Sequence, residues 1–244
     1  MEDFDAAAVF NEDFNYFYAE RVGGARSDEE FSLLEGVAGP FPGRLVLDCC
    51  CGEGRIASRL HAAGARVVGL DRSPAYLAAT RAAGCAAVVA GDARALPFRG
   101  AFDLVVCWYT SFGYFDDETN RAALSEMRRA LRPGGRLVID LDARAHLLRS
   151  GLPTQVRERG DDLMVEQFRY DAPASRVRAM RTVVRSGEVR RSDYFVRLFG
   201  EEELAAWLAD GGFEAIELCD ERGGAFTEGA RRMVVSARRP LRAR

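Results

Sequence analysis

Three aspartates at regular intervals are the residues best placed to do chemistry, each ending or following a short apolar run. Asp48 closes Leu45-Val46-Leu47 and leads into Cys49-Cys50-Cys51-Gly52-Glu53-Gly54. Asp71 closes Val68-Gly69-Leu70, and Asp92 follows Ala87-Val88-Val89-Ala90-Gly91. Glycines in a turn let the backbone approach a ligand that a Cβ would exclude, and a helix opening there aims its N–H groups into the same space. A carboxylate in the position of Asp71 accepts both hydroxyls of a ribose, as in dinucleotide folds. A side chain at Asp92 accepts from an adenine amino group while the next backbone N–H donates to the ring. Together they describe a nucleoside whose non-nucleoside end rests on the glycine turn. Two other readings stay open. The turn alone is compatible with a tight β–α connection that binds nothing. Gly52-Glu53-Gly54-Arg55-Ile56-Ala57 also satisfies G-x-G-x-x-A, the signature of a NAD(P)-dependent oxidoreductase. Against the latter, Asp48 suits a cationic amino group better than a pyrophosphate, and no lysine or obvious proton relay serves hydride transfer.

Such residues converge only if alternating strands and helices carry them. Apolar runs at 45–48, 66–70, 87–90, 102–107 and 136–141 read as buried strands. Between them lie a stripe of Ile56, Leu60 and Ala63 ending at Gly64, a helix opened by Ser73-Pro74, and a helix from Asp116 to Leu131 stopped by Arg132-Pro133-Gly134-Gly135. This order predicts an α/β, doubly wound, Rossmann-like fold with a seven-stranded, mostly parallel sheet. Ser27 with Glu30 reads as a capping box opening a helix to Ala38. Residues 162–198 alternate with period two around turns at Asp171-Ala172-Pro173 and Ser186-Gly187, giving an antiparallel β insertion of two or three strands. A further helix over 201–209 and strands over 213–218 and 233–237 complete the chain, before a basic tail, Arg238 to Arg244.

Composition removes several functions. The 244 residues include 34 basic ones, all arginine, and 2 histidines. Schiff-base chemistry, a P-loop lysine and histidine metal clusters are excluded. A net charge of -3 gives no reason to expect nucleic acid, and no apolar stretch approaches a membrane span. Three adjacent cysteines cannot converge on a structural zinc, so no metal is expected. The start carries no signal-peptide pattern, and a reduced, cytoplasmic setting fits the free cysteines.

Asp48 to Gly54, Gly69-Leu70-Asp71, Gly91-Asp92-Ala93 and Leu131 to Gly135 resemble the successive motifs of class I S-adenosylmethionine-dependent methyltransferases. Asn15-Tyr16-Phe17-Tyr18, Thr110 to Phe115, and Arg197-Leu198-Phe199 before Glu203-Leu204 resemble a bacterial small-molecule subgroup, some of whose members methylate amines in natural-product pathways. The resemblance implies S-adenosylmethionine as cofactor, S-adenosylhomocysteine as product and no metal. It implies that Asp48, Cys49, Cys50, Gly52 and Gly54 line the methionine portion. Asp71 with Arg72 then serves the ribose, Gly91, Asp92 and Ala93 the adenine, and Cys107 and Trp108 flank the methionine side. Cys50 stands where the family often has its first glycine. Residues 1–40 are expected to form a lid over a domain of 41–244, with a substrate cover at about 155–198. Tyr16, Tyr18, Tyr109, Tyr114 and Arg197 are the candidate substrate contacts. Tyr16, Tyr18, Tyr109 and His146 are the candidates for a direct part in catalysis. The other arginines of the antiparallel segment read as a solvated sheet face. The function implied is in-line methyl transfer to an amine of a small molecule or short peptide, such as a peptide N-terminus or an aminosugar, by a monomer or homodimer. The alternatives are O- or C-methylation and a cofactor-retaining enzyme that transfers no methyl.

Overall fold

The computed structural model describes residues 6–22, 24–85 and 87–241; Phe4 of the aromatic N-terminus and the last three residues of the basic tail lie outside them. Three helices come first: α1 (Ala6–Val9), α2 (Glu12–Val22) and α3 (Gly24–Ala38). The nucleotide-fold half follows as β1 (Leu45–Cys49), α4 (Arg55–Ala62), β2 (Arg66–Asp71), α5 (Pro74–Ala82), β3 (Ala87–Ala90), β4 (Phe102–Cys107), α6 (Asp117–Ala130), β5 (Leu131–Asp142) and α7 (Arg144–Arg149). An antiparallel run comes next, β6 (Gln155–Arg159), β7 (Asp162–Asp171), β8 (Arg176–Arg185) and β9 (Glu188–Arg197). Helix α8 (Glu201–Asp210), β10 (Glu214–Cys219) and β11 (Arg232–Arg238) end the chain.

Two sheets result. The first has seven strands in the order β10-β11-β5-β4-β1-β2-β3. Its central strands are parallel, and β11 runs antiparallel to both β5 and β10. Covered on both faces, the central strands read as unbroken apolar runs. Alternate residues feed two cores: Leu47, Val105 and Ile139 pack with α6 and α8 residues, and Val46, Leu104 and Val138 with Leu34 of α3 and Leu60 of α4. The chain reverses direction across the sheet between β1 and β4, so the crevice beyond the strands' carboxyl ends lies there. The second sheet is β6-β7-β8-β9. Phe17 and Tyr18 of α2 bury against its Met164 and Val183.

Three local expectations need correcting. Ser27 with Glu30 is not a capping box: α3 begins at Gly24, so Ser27 is already inside the helix. Glu30 turns instead to Arg26, Arg55 and the Trp108 indole N–H. Residue Leu131 is the first of β5, because it adopts an extended backbone at the end of α6; the irregularity between Phe102 and Leu104 takes up the Arg132–Gly135 excursion. The antiparallel sheet also has a fourth strand, β6, whose alternation is hidden because both faces of Gln155–Arg159 are at least partly exposed.

Candidate active site

One cavity of about 780 Å³ opens at the crevice, lined from both sheets and the N-terminal helices. The sheet register explains its floor. Asp48 of β1 pairs with Gly69 of β2 and Val106 of β4, and Asp71 pairs with Ala90 of β3. The three strand-end segments therefore lie side by side, and Asp48, Asp71 and Asp92 all line the cavity.

The three carboxylates are held differently. Asp48 is buried, and its Oδ2 has no hydrogen-bond partner. Burial pushes its carboxyl up to about 7 although Arg55 opposes the shift. Asp71 accepts from the N–H of Gly52 and of Ser73, each at 2.9 Å. Burial and then Cys50 push it up to about 6. Burial also opposes ionisation of Asp92, but the Arg94 bonds outweigh it and hold that carboxyl low. Arg94 reaches both Asp92 oxygens, at 3.0 and 2.8 Å. Gly52 turns with φ +54, and a Cβ there would meet nothing within 4 Å, so the turn is open on its cavity side. Helix α4 starts three residues on, with Arg55 as its first residue. Arg55 donates to Glu30, lies 4.8 Å from the Tyr109 ring centroid, and leaves its buried Nη2 without a partner.

The far wall is aromatic. Phe10, Phe14, Tyr18, Tyr114 and Tyr194 line it, with Phe168 and Val177 of the second sheet. Behind it the Tyr18 hydroxyl donates to Glu166 at 2.5 Å, and Tyr194 and Arg181 hold the other Glu166 oxygen at 3.0 and 2.9 Å. Tyr18 is pushed up to about 12, by burial first and then by Glu166. Arg181 is 3% exposed; the expectation that the sheet's arginines form a solvated face fails there, because Glu166 neutralises it inside. At the end of β5, Asp142 lines the cavity and shares Arg232 with buried Asp140. Thr110 donates to Asp142 at 3.2 Å.

Of the residues singled out from sequence, Asp48, Cys50, Gly52, Asp71, Arg72, Gly91, Asp92, Ala93, Trp108, Tyr18, Tyr109 and Tyr114 line this cavity. Six others do not. Cys49 and Cys107 alternate into the apolar core. Gly54 packs where a Cβ would strike Thr80 at 2.8 Å. Tyr16 faces outward on α2, between Arg159 and Arg185. His146 sits on α7, from which only Leu147 reaches the cavity. Arg197 points inward but is clamped by Asp117 and Glu203. The sequence reading missed Arg55, Asp142, Arg181, Arg232 and the phenylalanines at 10 and 14. Asp142 had a usable signal, an acid at the end of the fifth strand; the others are brought together by distant segments.

Residues 46–135 match the family model of a methyltransferase domain. A demethylmenaquinone methyltransferase from Beutenbergia cavernae is 44% identical over 103 residues, 41% of this chain and 42% of its own. One from Mycolicibacterium paratuberculosis is 44% identical over 99 residues. These matches span about two fifths of the curated relatives' length. An S-adenosylmethionine-dependent methyltransferase from Clostridium acetobutylicum shares the fold with a TM-score of 0.76 at 15% identity, over 97% of this chain and 100% of that one. A sugar N-methyltransferase from Streptoalloteichus sp ATCC 53650 is 25% identical, with a TM-score of 0.69 over 93% and 92% of the two chains. Residues 46–135 are a methyltransferase domain. The cavity fits S-adenosylmethionine chemically. Three residues lining it carry a buried polar atom without a partner, Asp48 Oδ2, Arg55 Nη2 and the Tyr76 hydroxyl; the first two are the opposite charges that an amino-acid zwitterion satisfies. The open turn at Gly52 leaves room beside them. Among the described residues no group of His, Cys, Asp or Glu is arranged to hold a metal.

Proposed function

We propose that this protein methylates an amine of a small molecule or short peptide, with S-adenosylmethionine as donor. The observation that carries the acceptor class is the charge of the cavity. Six carboxylates line it (Glu12, Asp48, Glu53, Asp71, Asp92 and Asp142) against four guanidiniums, Arg55, Arg72, Arg181 and Arg232. A partly closed cavity with excess negative charge concentrates cations. The similarity to the sugar N-methyltransferase covers 93% of this chain, whereas the identity to demethylmenaquinone methyltransferases covers only about two fifths of it.

Bound S-adenosylmethionine would supply a methyl group already activated on a sulfonium. Asp48 would accept from its ammonium group and Arg55 would donate to its carboxylate. Asp71 would accept from the ribose hydroxyls with its remaining lone pairs. Asp92 and the Ala93 N–H would serve the base, with Arg94 yielding part of its hold on Asp92. The chain's task at the acceptor end is alignment and exclusion of water. Tyr18, Tyr114 and Tyr194 form the wall against which the acceptor packs, and tyrosine faces favour a cationic amine. Transfer needs the neutral amine, so the acceptor releases its proton to solvent before attack; Asp142 then accepts a hydrogen bond from a remaining N–H and orients the lone pair toward the methyl group. Helix α2 closes the cavity as a lid, and the second sheet roofs it. The test is a panel of an aminosugar, a short peptide, a phenol and a quinol, each incubated with S-adenosylmethionine. A gain of about 14 Da on the amines, with release of S-adenosylhomocysteine, supports the reading. Methylation of the phenol or quinol alone overturns it.

A further inference from the structure

The wall of the cavity away from the strand-end aspartates is built from rings, and the polar atoms among them are already engaged. Strand register sets the part that comes from the second sheet. Phe168 and Tyr194 flank Ala179 in one row, and Val177 pairs with Val196 in the next; Phe168, Tyr194, Val177 and Val196 all line the cavity. Rings from the N-terminal helices and from the segment after β4 continue this surface. The centroids of Tyr18 and Phe14 are 4.3 Å apart, of Phe14 and Phe10 5.5 Å, of Phe10 and Tyr114 5.2 Å, and of Tyr114 and Tyr194 6.5 Å. Five rings thus form a continuous belt, at spacings close to those of attracting aromatic pairs. The belt offers a ligand faces and edges rather than hydrogen bonds. The Tyr18 and Tyr194 hydroxyls both donate to Glu166, and Arg181 donates to Glu166 and to the Val9 carbonyl. Polar groups at the margin turn to their own segments. Asn11 Oδ1 accepts from the N–H of Asp13 and of Phe14, Gln155 accepts from Arg157, and Ser150 donates to the Leu147 carbonyl. The Tyr76 hydroxyl has no partner, but burial and then Asp71 push that phenol up, which puts it on the ribose side.

We propose that the acceptor is an arylalkylamine, an amine carried on an apolar, ring-bearing body that packs in this belt while its nitrogen reaches Asp142. A hydroxyl that leaves water and finds no partner loses binding, so a polyol packed against these rings is penalised at each such group and an apolar ring at none. Asp142 supplies the polar end. It lines the cavity with 39% of its side chain exposed, and after burial it is the main influence that pushes the Tyr114 phenol up, so it stands next to the belt. The nitrogen, neutral after releasing a proton to solvent, forms the new N–C bond with its lone pair; the C–S bond breaks and its electron pair stays on sulfur. The methylated ammonium then returns to neutrality by giving a second proton to solvent. The inference rests on the amine reading above and narrows it to a body without buried hydroxyls.

The test gives the full chain S-adenosylmethionine with either 2-phenylethylamine or glucosamine and reads the release of S-adenosylhomocysteine. The kcat/KM for 2-phenylethylamine should exceed that for glucosamine at least about tenfold. Phe168→Ala should raise the KM for 2-phenylethylamine at least about fivefold and leave kcat within about twofold, with affinity for S-adenosylhomocysteine unchanged. Phe14→Leu in α2 should act in the same way, so whichever variant folds serves. 2-Phenylethanol, which has the ring without the amine, should compete with 2-phenylethylamine. Transfer to glucosamine that equals or exceeds transfer to 2-phenylethylamine overturns the inference and leaves the amine reading standing. A KM unmoved in a folded variant, or no competition by 2-phenylethanol, does the same. Transfer to neither amine refutes the amine reading itself, and this inference with it.

Discussion

At the scale of the residue, Asp48 decides the most. Its burial raises the carboxyl to about 7, so in the free protein the neutral form is favoured across the acidic range. The sign follows. The folded value lies above the unfolded one, so whatever stability the protonated form contributes is complete below about 4 and is lost as pH climbs through 7. A cationic ligand reverses the balance by favouring the carboxylate. Affinity for S-adenosylhomocysteine should therefore rise between about pH 5.5 and 7.5 in titration calorimetry, with protons released on binding. Asp48→Asn should weaken binding ten- to a hundredfold, about 1.5–3 kcal/mol, and lose the part of that pH dependence due to Asp48. Arg197 makes the contrasting case. It clamps Asp117 and Glu203 outside the cavity, so Arg197→Met should cost about 1–3 kcal/mol of stability and leave the KM for an acceptor within about twofold. A large rise in KM without a fall in Tm would restore it to the substrate site.

The elements explain why some assignments were readable and others not. Parallel strands with apolar runs and a strand-end acid announce themselves, because burial on both faces constrains every residue. The N-terminal helices do not, since their partners are far away in sequence. Asp13 of α2 is buried and accepts from Arg185 of β8 at 2.9 Å and Arg190 of β9 at 2.8 and 2.9 Å. Tyr18 and the Val9 carbonyl are tied to Glu166 and Arg181 of the same sheet. The N-terminal helices are thus tied to the second sheet by side chains of opposite charge. Asp13→Asn should leave the fold intact yet speed amide exchange across Glu12–Val22 by about tenfold, with exchange in β1 and β4 unchanged. Equal acceleration in both regions would show that α2 does not open separately from the main sheet.

Over the whole molecule, cofactor and fold are coupled through mass action. Saturation of the cavity at about a hundred times Kd adds about 2.7 kcal/mol, which for a chain of this length raises Tm by about 5–10 °C. Thermal scans with S-adenosylhomocysteine should show that rise at pH 7.5 and a smaller one at pH 5.5, where Asp48 must first lose its proton. The sequence alone determined the parallel sheet, the order of its first five strands and the three strand-end aspartates, because periodicity and turn chemistry are local. Tertiary structure decided the rest. The strand register faced Asp48, Asp71 and Asp92 into one cavity while turning Cys49 and Cys107 into the core. The second sheet hid Arg181 against Glu166 and turned Tyr16 outward, and packing drew Arg55 to the cavity and left His146 away from it. Which face a side chain takes, and which distant charge meets it, depends on contacts between segments far apart in the chain, and no local pattern encodes those.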